Sequence, residues 1–285
     1  MAAYTNIGAA ARRTGVPADT LRKWEQRYGV LRPTRSAGGH RRYTDVDVSR
    51  VEWLKARLDE GYRIGEAAEM LGGGSDVAPR TVAQLRDAIY DALVGSDVAQ
   101  VRTLLDQAFG MHDMPRALNG VIAPLLVRTG DGWERGDLTV GHEHLLSAEV
   151  RARLSPLAIS TAVGVRGSAV LACAPGERHE LGVLMLTALL RGEGWRVTYL
   201  GSDTPVDAAL AMVRYVEADV LCLSATIDEN VPRLERELRS ARAVEQVALF
   251  VGGRAIDAEI AHRLGARVAG SDLATVTRAI RNARR

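Results

Sequence analysis

"SAVLACAPGERHELGVLMLTALLRG", residues 168–192, is the stretch on which the reading of the fold turns. An apolar run of strand length leads into a polar loop carrying Glu177, His179 and Gly182, and a helical apolar pattern follows at once. A short apolar run that stops at a loop and resumes at helical spacing is the signature of a strand feeding a helix. His179 thus stands at the mouth of a βα unit, with a carboxylate two residues before it and a glycine three after.

Four more apolar runs follow toward the C-terminus: "WRVTYLG" (195–201), "ADVLCLSAT" (218–226), "VALFVGG" (247–253) and "ARVAG" (266–270). Each alternates with a helical segment, and strand–helix alternation predicts a doubly wound parallel sheet, Rossmann-like, over 164–285. Ligands of such sheets bind at the carboxyl ends of the strands, where this sequence places Glu177–Gly182, "GSDTP", "SATID" and Gly252-Gly253. The imidazole of His179 could ligate a metal, with Glu177 orienting its other ring nitrogen. Surface histidines mostly have no such duty, so the loop alone does not decide it. No glycine fingerprint follows the first strand, which excludes a phosphate loop.

Toward the N-terminus, residues 81–163 read as four helices with short connections: "TVAQLRDAIYDAL", "VAQVRTLLDQAF", "MPRALNGVIAPLLVRTGDGW" and "VGHEHLLSAEVRARL". This is the pattern of a four-helix bundle. Ahead of it "LGGGSDVAPR" marks a linker at 72–80.

Residues 1–71 differ in charge. The first 43 residues hold nine Arg and Lys against Asp19 and Glu25, a net +7 in a chain whose total is only +2. A basic head on a near-neutral body points to a polyanion. "YTNIGAAARRTGVPADTLRKWEQRYGVL" reads as a helix, a turn at Gly15, and a second helix over about 17–28 with Pro17 in its first turn. "RPTRSAGGHRRYTDVDV" then turns at Gly38-Gly39 and returns as a wing. The expected contacts to double-stranded DNA, mostly to phosphate, are Arg12, Arg22, Lys23, Arg27, His40, Arg41, Arg42 and Tyr43. Cys173 and Cys222 lie in apolar runs and read as reduced core residues. No signal peptide opens the chain and no apolar stretch approaches membrane-spanning length, so a cytoplasmic protein with no membrane partner is expected.

"TLRKWEQRYGVLRPTRSAGGHRRYTDVDV" resembles the MerR family of transcription regulators, over about residues 4–71. The resemblance implies a winged helix–turn–helix head that binds an operator as a dimer. The long dimerising coiled coil of most relatives is missing, so self-association, as dimer or tetramer, must use another part of the protein.

The sheet resembles the cobalamin-binding domain of methionine synthase and related proteins. Glu177-x-His179-x-x-Gly182 is followed after 41 residues by Ser224-x-Thr226, and after 25 more by Gly252-Gly253. The resemblance implies His179 as the lower axial ligand of cobalt and a nucleotide-tail channel lined by Ser224, Thr226, Gly252 and Gly253. Thr226, where valine is common, is a mild departure.

"WERGDLTVGHEH" places nine residues between Trp133 and Glu143-His144, a spacing similar to that of the CarH type of MerR regulator. That resemblance spans nearly the whole chain. It implies an adenosylcobalamin-dependent, light-responsive repressor, not an enzyme, whose Trp and Glu-His pair pack on the adenosyl group. Such proteins carry a histidine after the tryptophan that ligates cobalt once light removes the adenosyl group; here Glu134 stands there, and His142 is a conceivable substitute. Two alternatives follow: a light-independent cobalamin or corrinoid sensor, and a corrinoid methyltransferase or mutase module.

Overall fold

A computed structural model describes residues 5–36, 38–59, 61–71, 80–159, 164–241, 247–268, 270 and 272–283. Most of the expected linker, 72–79, lies outside them. The chain divides into two compact units, Met1–Leu146 and Ser147–Arg285.

In the first unit, helix α1 (Ile7–Thr14) starts where the Asn6 side chain accepts the Ala9 N–H at 2.9 Å, and it ends at Gly15, whose φ of 69° suits a residue without Cβ. Helix α2 (Ala18–Tyr28) follows. Pro17 precedes its first turn instead of lying inside it: it is the N-cap, with extended ψ of 142°. The two-residue strands β1 (Thr34–Arg35) and β2 (Arg41–Arg42) pair antiparallel as the wing. Helices α3 (Asp45–Asp59) and α4 (Ile64–Met70) complete a core built on Leu21, Trp24, Leu31, Val51 and Leu54. Asp47 is buried and accepts the Thr44 and Arg32 N–H groups, tying the ends of the wing to α3.

The bundle opens with α5 (Val82–Val94), capped reciprocally by Thr81 and Gln84, and α6 (Val98–Met111), capped by Asp97. Its third rod is composite: α7 (Met114–Arg116), a π-helical segment at Ala117–Ile122, and α8 (Ala123–Glu134). Pro124 explains the wide turn. A proline has no N–H to give and its ring crowds the carbonyl four residues back, and the wider turn ahead of it makes room. Helix α9 (Val140–Ile159), the fourth helix expected from the sequence, runs through the division between the units. The head seats on α6 at Gly110, where a Cβ would lie 2.9 Å from Leu71 and 3.4 Å from Trp53.

The second unit is a five-stranded parallel sheet in the order β4-β3-β5-β6-β7. Its elements are β3 (Ser168–Cys173), α10 (Leu181–Gly192), β4 (Arg196–Gly201), α11 (Val206–Val216), β5 (Val220–Ser224), a 3₁₀ turn at Asp228–Asn230, α12 (Val231–Ser240), β6 (Ala248–Gly252), α13 (Ala258–Arg263), β7 (Arg267–Val268) and α14 (Leu273–Asn282). Alternate residues of each strand face opposite layers. Val170, Ala172, Leu221, Leu223 and Val251 pack with α11, α12 and α13, while Leu171, Cys173, Cys222 and Phe250 pack with α10 and α14. Burial on both faces is why β3, β5 and β6 read as nearly unbroken apolar runs. The chain reverses its winding between β3 and β5, so their carboxyl ends form the crevice. Register sets Cys173 beside Ser224, and Ser224 beside Gly252.

Candidate cofactor site and nucleic-acid interface

The loop after β3 carries the central geometry. Glu177 is fully buried and accepts four hydrogen bonds. One oxygen takes the His179 N–H at 2.9 Å and faces the ring Nδ1 at 2.6 Å; the other takes the backbone N–H groups of Thr226 at 2.6 Å and Ile227 at 3.0 Å. Burial alone would raise its pKa, but the bonds from His179, Thr226 and Ile227 outweigh that and hold it below the ordinary carboxylate value. An ionised Glu177 fixes the proton of His179 on Nδ1. The side chain of His179 is 60% exposed, and among the described residues nothing bonds its Nε2. A lone, exposed, oriented imidazole can serve as a metal ligand. Among the described residues no group of three or more His, Cys, Asp or Glu could hold a metal ion, so a metal here must bring its other donors with it. These residues fit a macrocycle-bound cobalt.

Glu177 also anchors a third loop, its carbonyl accepting the Asp203 N–H at 2.8 Å while Asp203 accepts the Gly176 N–H at 2.6 Å. Gly182 is exposed, with open space where a Cβ would be. Ser224 and Thr226 are half-buried. Gly253 has φ of 107°, and a Cβ there would lie 2.2 Å from the Ala225 carbonyl oxygen, so no other residue fits. The part of Thr226 that the sequence left unread is its backbone: an amide donor has no signature in residue type, and only the neighbouring strand ends bring it to Glu177.

In the first unit, Trp133 is 49% exposed at the end of α8, beside exposed Glu134. The turn to α9 is short, so Glu143 and His144 begin the next helix at the same end of the bundle. Their side chains adjoin, His144 Nε2 lying 3.6 Å from Glu143. His142 is engaged at both nitrogens, by Thr139 at Nδ1 (2.8 Å) and Ser96 at Nε2 (3.3 Å).

On the head, Arg12, Arg22, Lys23, Arg27, His40 and Arg42 are exposed, with Arg22 paired to Asp19. One expected contact needs correction. Tyr43 is only 1% exposed, with its backbone bridged to Thr5, so it belongs to the core and cannot reach DNA. Arg41 is half-buried, with its guanidinium Nε paired to Glu25 at 2.8 Å, so it also ties the wing to α2.

Residues 5–73 match the MerR HTH family of regulatory proteins, and residues 85–157 and 167–279 each match a B12 binding domain. The HTH-type transcriptional repressor CarH of Myxococcus xanthus is 37% identical over 264 residues, covering 87% of this chain and 88% of CarH. The repressor CarA of the same organism is 35% identical over 289 residues, covering 97% of each chain. The chain belongs to the CarH/CarA family of transcriptional repressors. This CarH/CarA-type repressor therefore carries a MerR head, which binds DNA, and B12 binding domains, which indicate a cobalamin cofactor. Its fold matches the Methanosarcina barkeri monomethylamine corrinoid protein with a TM-score of 0.60 at 17% identity, covering 71% of this chain and 99% of that one. Among the described residues no helix is long and apolar enough to cross a membrane.

Proposed function

We propose that this repressor takes adenosylcobalamin and that light controls its hold on operator DNA. The observation that carries the reading is His179, an exposed imidazole whose Nδ1 is committed to a buried carboxylate and whose Nε2 is left for cobalt. Ser224, Thr226, Gly252 and Gly253 then line the path of the displaced nucleotide tail. Trp133, half-exposed beside the Glu143–His144 pair, offers a nucleoside an aromatic face with donors and acceptors. Adenosylcobalamin supplies a cobalt–carbon bond that visible light cleaves. While the adenosyl group is held, Trp133, Glu143 and His144 order the bundle and favour a homo-oligomer competent for operator binding in the cytoplasm. Their release shifts the population toward a form of weaker DNA affinity. The working parts are a head over 1–71, a linker over 72–80, a bundle over 81–163 and a cobalamin-binding domain over 164–285.

One observation favours a second reading, a cobalamin sensor that ignores light: Glu134 replaces an imidazole and His142 is already engaged. Protein purified in darkness separates the two. Extraction and mass identification of the cofactor, with absorption spectra and size-exclusion chromatography before and after green light, should show adenosylcobalamin, a spectral change and a change of oligomer. No change in spectrum or size would leave the light-independent sensor.

A further inference from the structure

Glu180, the residue after His179, is the N-cap of α10, yet its side chain does not cap that helix. The carboxylate turns away and is held from two other elements. Tyr199 of β4 donates its hydroxyl to Oε2 at 2.5 Å, and Arg151 of α9 meets Oε1 through Nε at 2.8 Å. Burial, and then the Glu180 carboxylate, push the pKa of the Tyr199 phenol up, so its proton stays in place to be donated. Glu180 is one-fifth exposed and Arg151 nearly half, so of the two contacts the one with half-buried Tyr199 is the better sheltered. The carbonyl of His179 is also engaged, accepting from the buried Cys173 thiol at 3.7 Å.

We propose that Tyr199 and Arg151 are positioning residues for the cobalt ligand: by fixing Glu180 they fix the backbone on the C-terminal side of His179, as Glu177 fixes the ring on the other. The inference rests on His179 being the lower ligand. Arg151 adds something that Tyr199 does not. It stands on α9 seven residues after His144, two turns along the same face. A second clamp follows, Arg191 of α10 donating to the Leu157 carbonyl at 3.0 Å. The part of α9 that carries Arg151 and Leu157 is thereby fastened to the start and the end of α10, and the setting of the His179 loop depends on where that part of the helix lies.

The test uses the full chain loaded with cob(II)alamin in darkness and read by electron paramagnetic resonance, where a coordinated imidazole nitrogen splits each cobalt line into three. Wild type should show the splitting and His179→Ala should not. Tyr199→Phe and Arg151→Gln should each lose part of the splitting and bind cob(II)alamin about 10-fold more weakly, as outer partners of a metal-bound histidine do. Arg151→Lys should restore most of both. Thermal unfolding of the apoproteins checks that each variant folds, and Tyr199→Phe, which removes one oxygen, keeps the test open if Arg151→Gln does not fold. Splitting and affinity unchanged in both variants would overturn the positioning role while leaving His179 as ligand. Absence of splitting in wild type would overturn the ligand assignment itself.

Discussion

Arg41 of the wing and Glu25 of helix α2 are joined by a forked bond, the guanidinium Nε lying 2.8 Å and 3.1 Å from the two carboxylate oxygens. Tyr43 brings its hydroxyl to the same carboxylate at 3.5 Å. The wing is therefore fixed against the helix that would enter the major groove, and the two surfaces move as one.

The expected consequence is a difference between kinds of arginine and lysine. Lys23→Ala and Arg27→Ala should weaken operator binding at all sequences and each reduce the slope of log K against log salt by about 0.9. Arg41→Ala should weaken binding with a smaller change of slope, and Glu25→Ala should weaken it too, although it removes a negative charge. Fluorescence anisotropy over a salt series measures both, and the double variant should be less than additive.

Glu177→Ala would leave the half-buried N–H groups of Thr226 and Ile227 without acceptors. An orphaned buried donor costs about 1–3 kcal/mol, so the sheet unit should lose at least about 2 kcal/mol in urea unfolding of the apoprotein. Cobalamin affinity should fall with it.

Gly253→Ala should be worse tolerated than its size suggests. Both the φ of 107° and the 2.2 Å approach to Ala225 oppose a Cβ, and the expected cost is about 2–3 kcal/mol with loss of cobalamin binding. Gly182→Ala, with open space at that position, should leave apoprotein stability nearly unchanged.

Asp272 caps α14, accepting from Thr275 at its backbone nitrogen (2.9 Å) and hydroxyl (2.8 Å), and those bonds depress its pKa. A carboxylate whose pKa is lower folded than unfolded stabilises the fold above its unfolded pKa. That contribution is lost as pH falls through the folded value. Asp272→Ala should cost about 1 kcal/mol at neutral pH, and the difference from wild type should vanish in acid, below the depressed pKa, in urea titrations across that range.

Cys173 and Cys222 are buried thiols, each pushed up to about 12 by that burial, with Glu177 and Glu180 adding to the effect at Cys173. Neither should react with iodoacetamide in folded protein at mildly alkaline pH, and both should react in denaturant, as mass spectrometry would show.

The central strands β3, β5 and β6 were legible because they are buried on both faces, which leaves an apolar run such as Val220–Leu223 with nothing polar to interrupt it. The wing was legible from Gly38-Gly39, and His179 from its spacing to Ser224 and Gly252. Tyr43 was misread because residue type cannot separate an aromatic at the end of a wing from one folded beneath it. Apart from the ring of His179, the partners of Glu177 and those of Glu180 were missed for a different reason. They are backbone amides, or side chains such as Arg151 and Tyr199, distant in sequence and united only by the winding of the sheet. The π-helical turn before Pro124 was hidden because a helical hydrophobic pattern tolerates one wider turn.

Gly110 sets a condition on engineering. The head has the look of a cassette, separable at the glycine-rich linker and exchangeable for another DNA-reading module. Yet Trp53 and Leu71 of the head rest where α6 lacks a side chain. A transplanted head with different residues at those two places would meet a bare groove or an obstruction, and a transplanted bundle with alanine at position 110 would push the native head away. Chimaeras that keep Trp53, Leu71 and Gly110 together should inherit the response of the bundle, and those that divide the three should bind DNA without it.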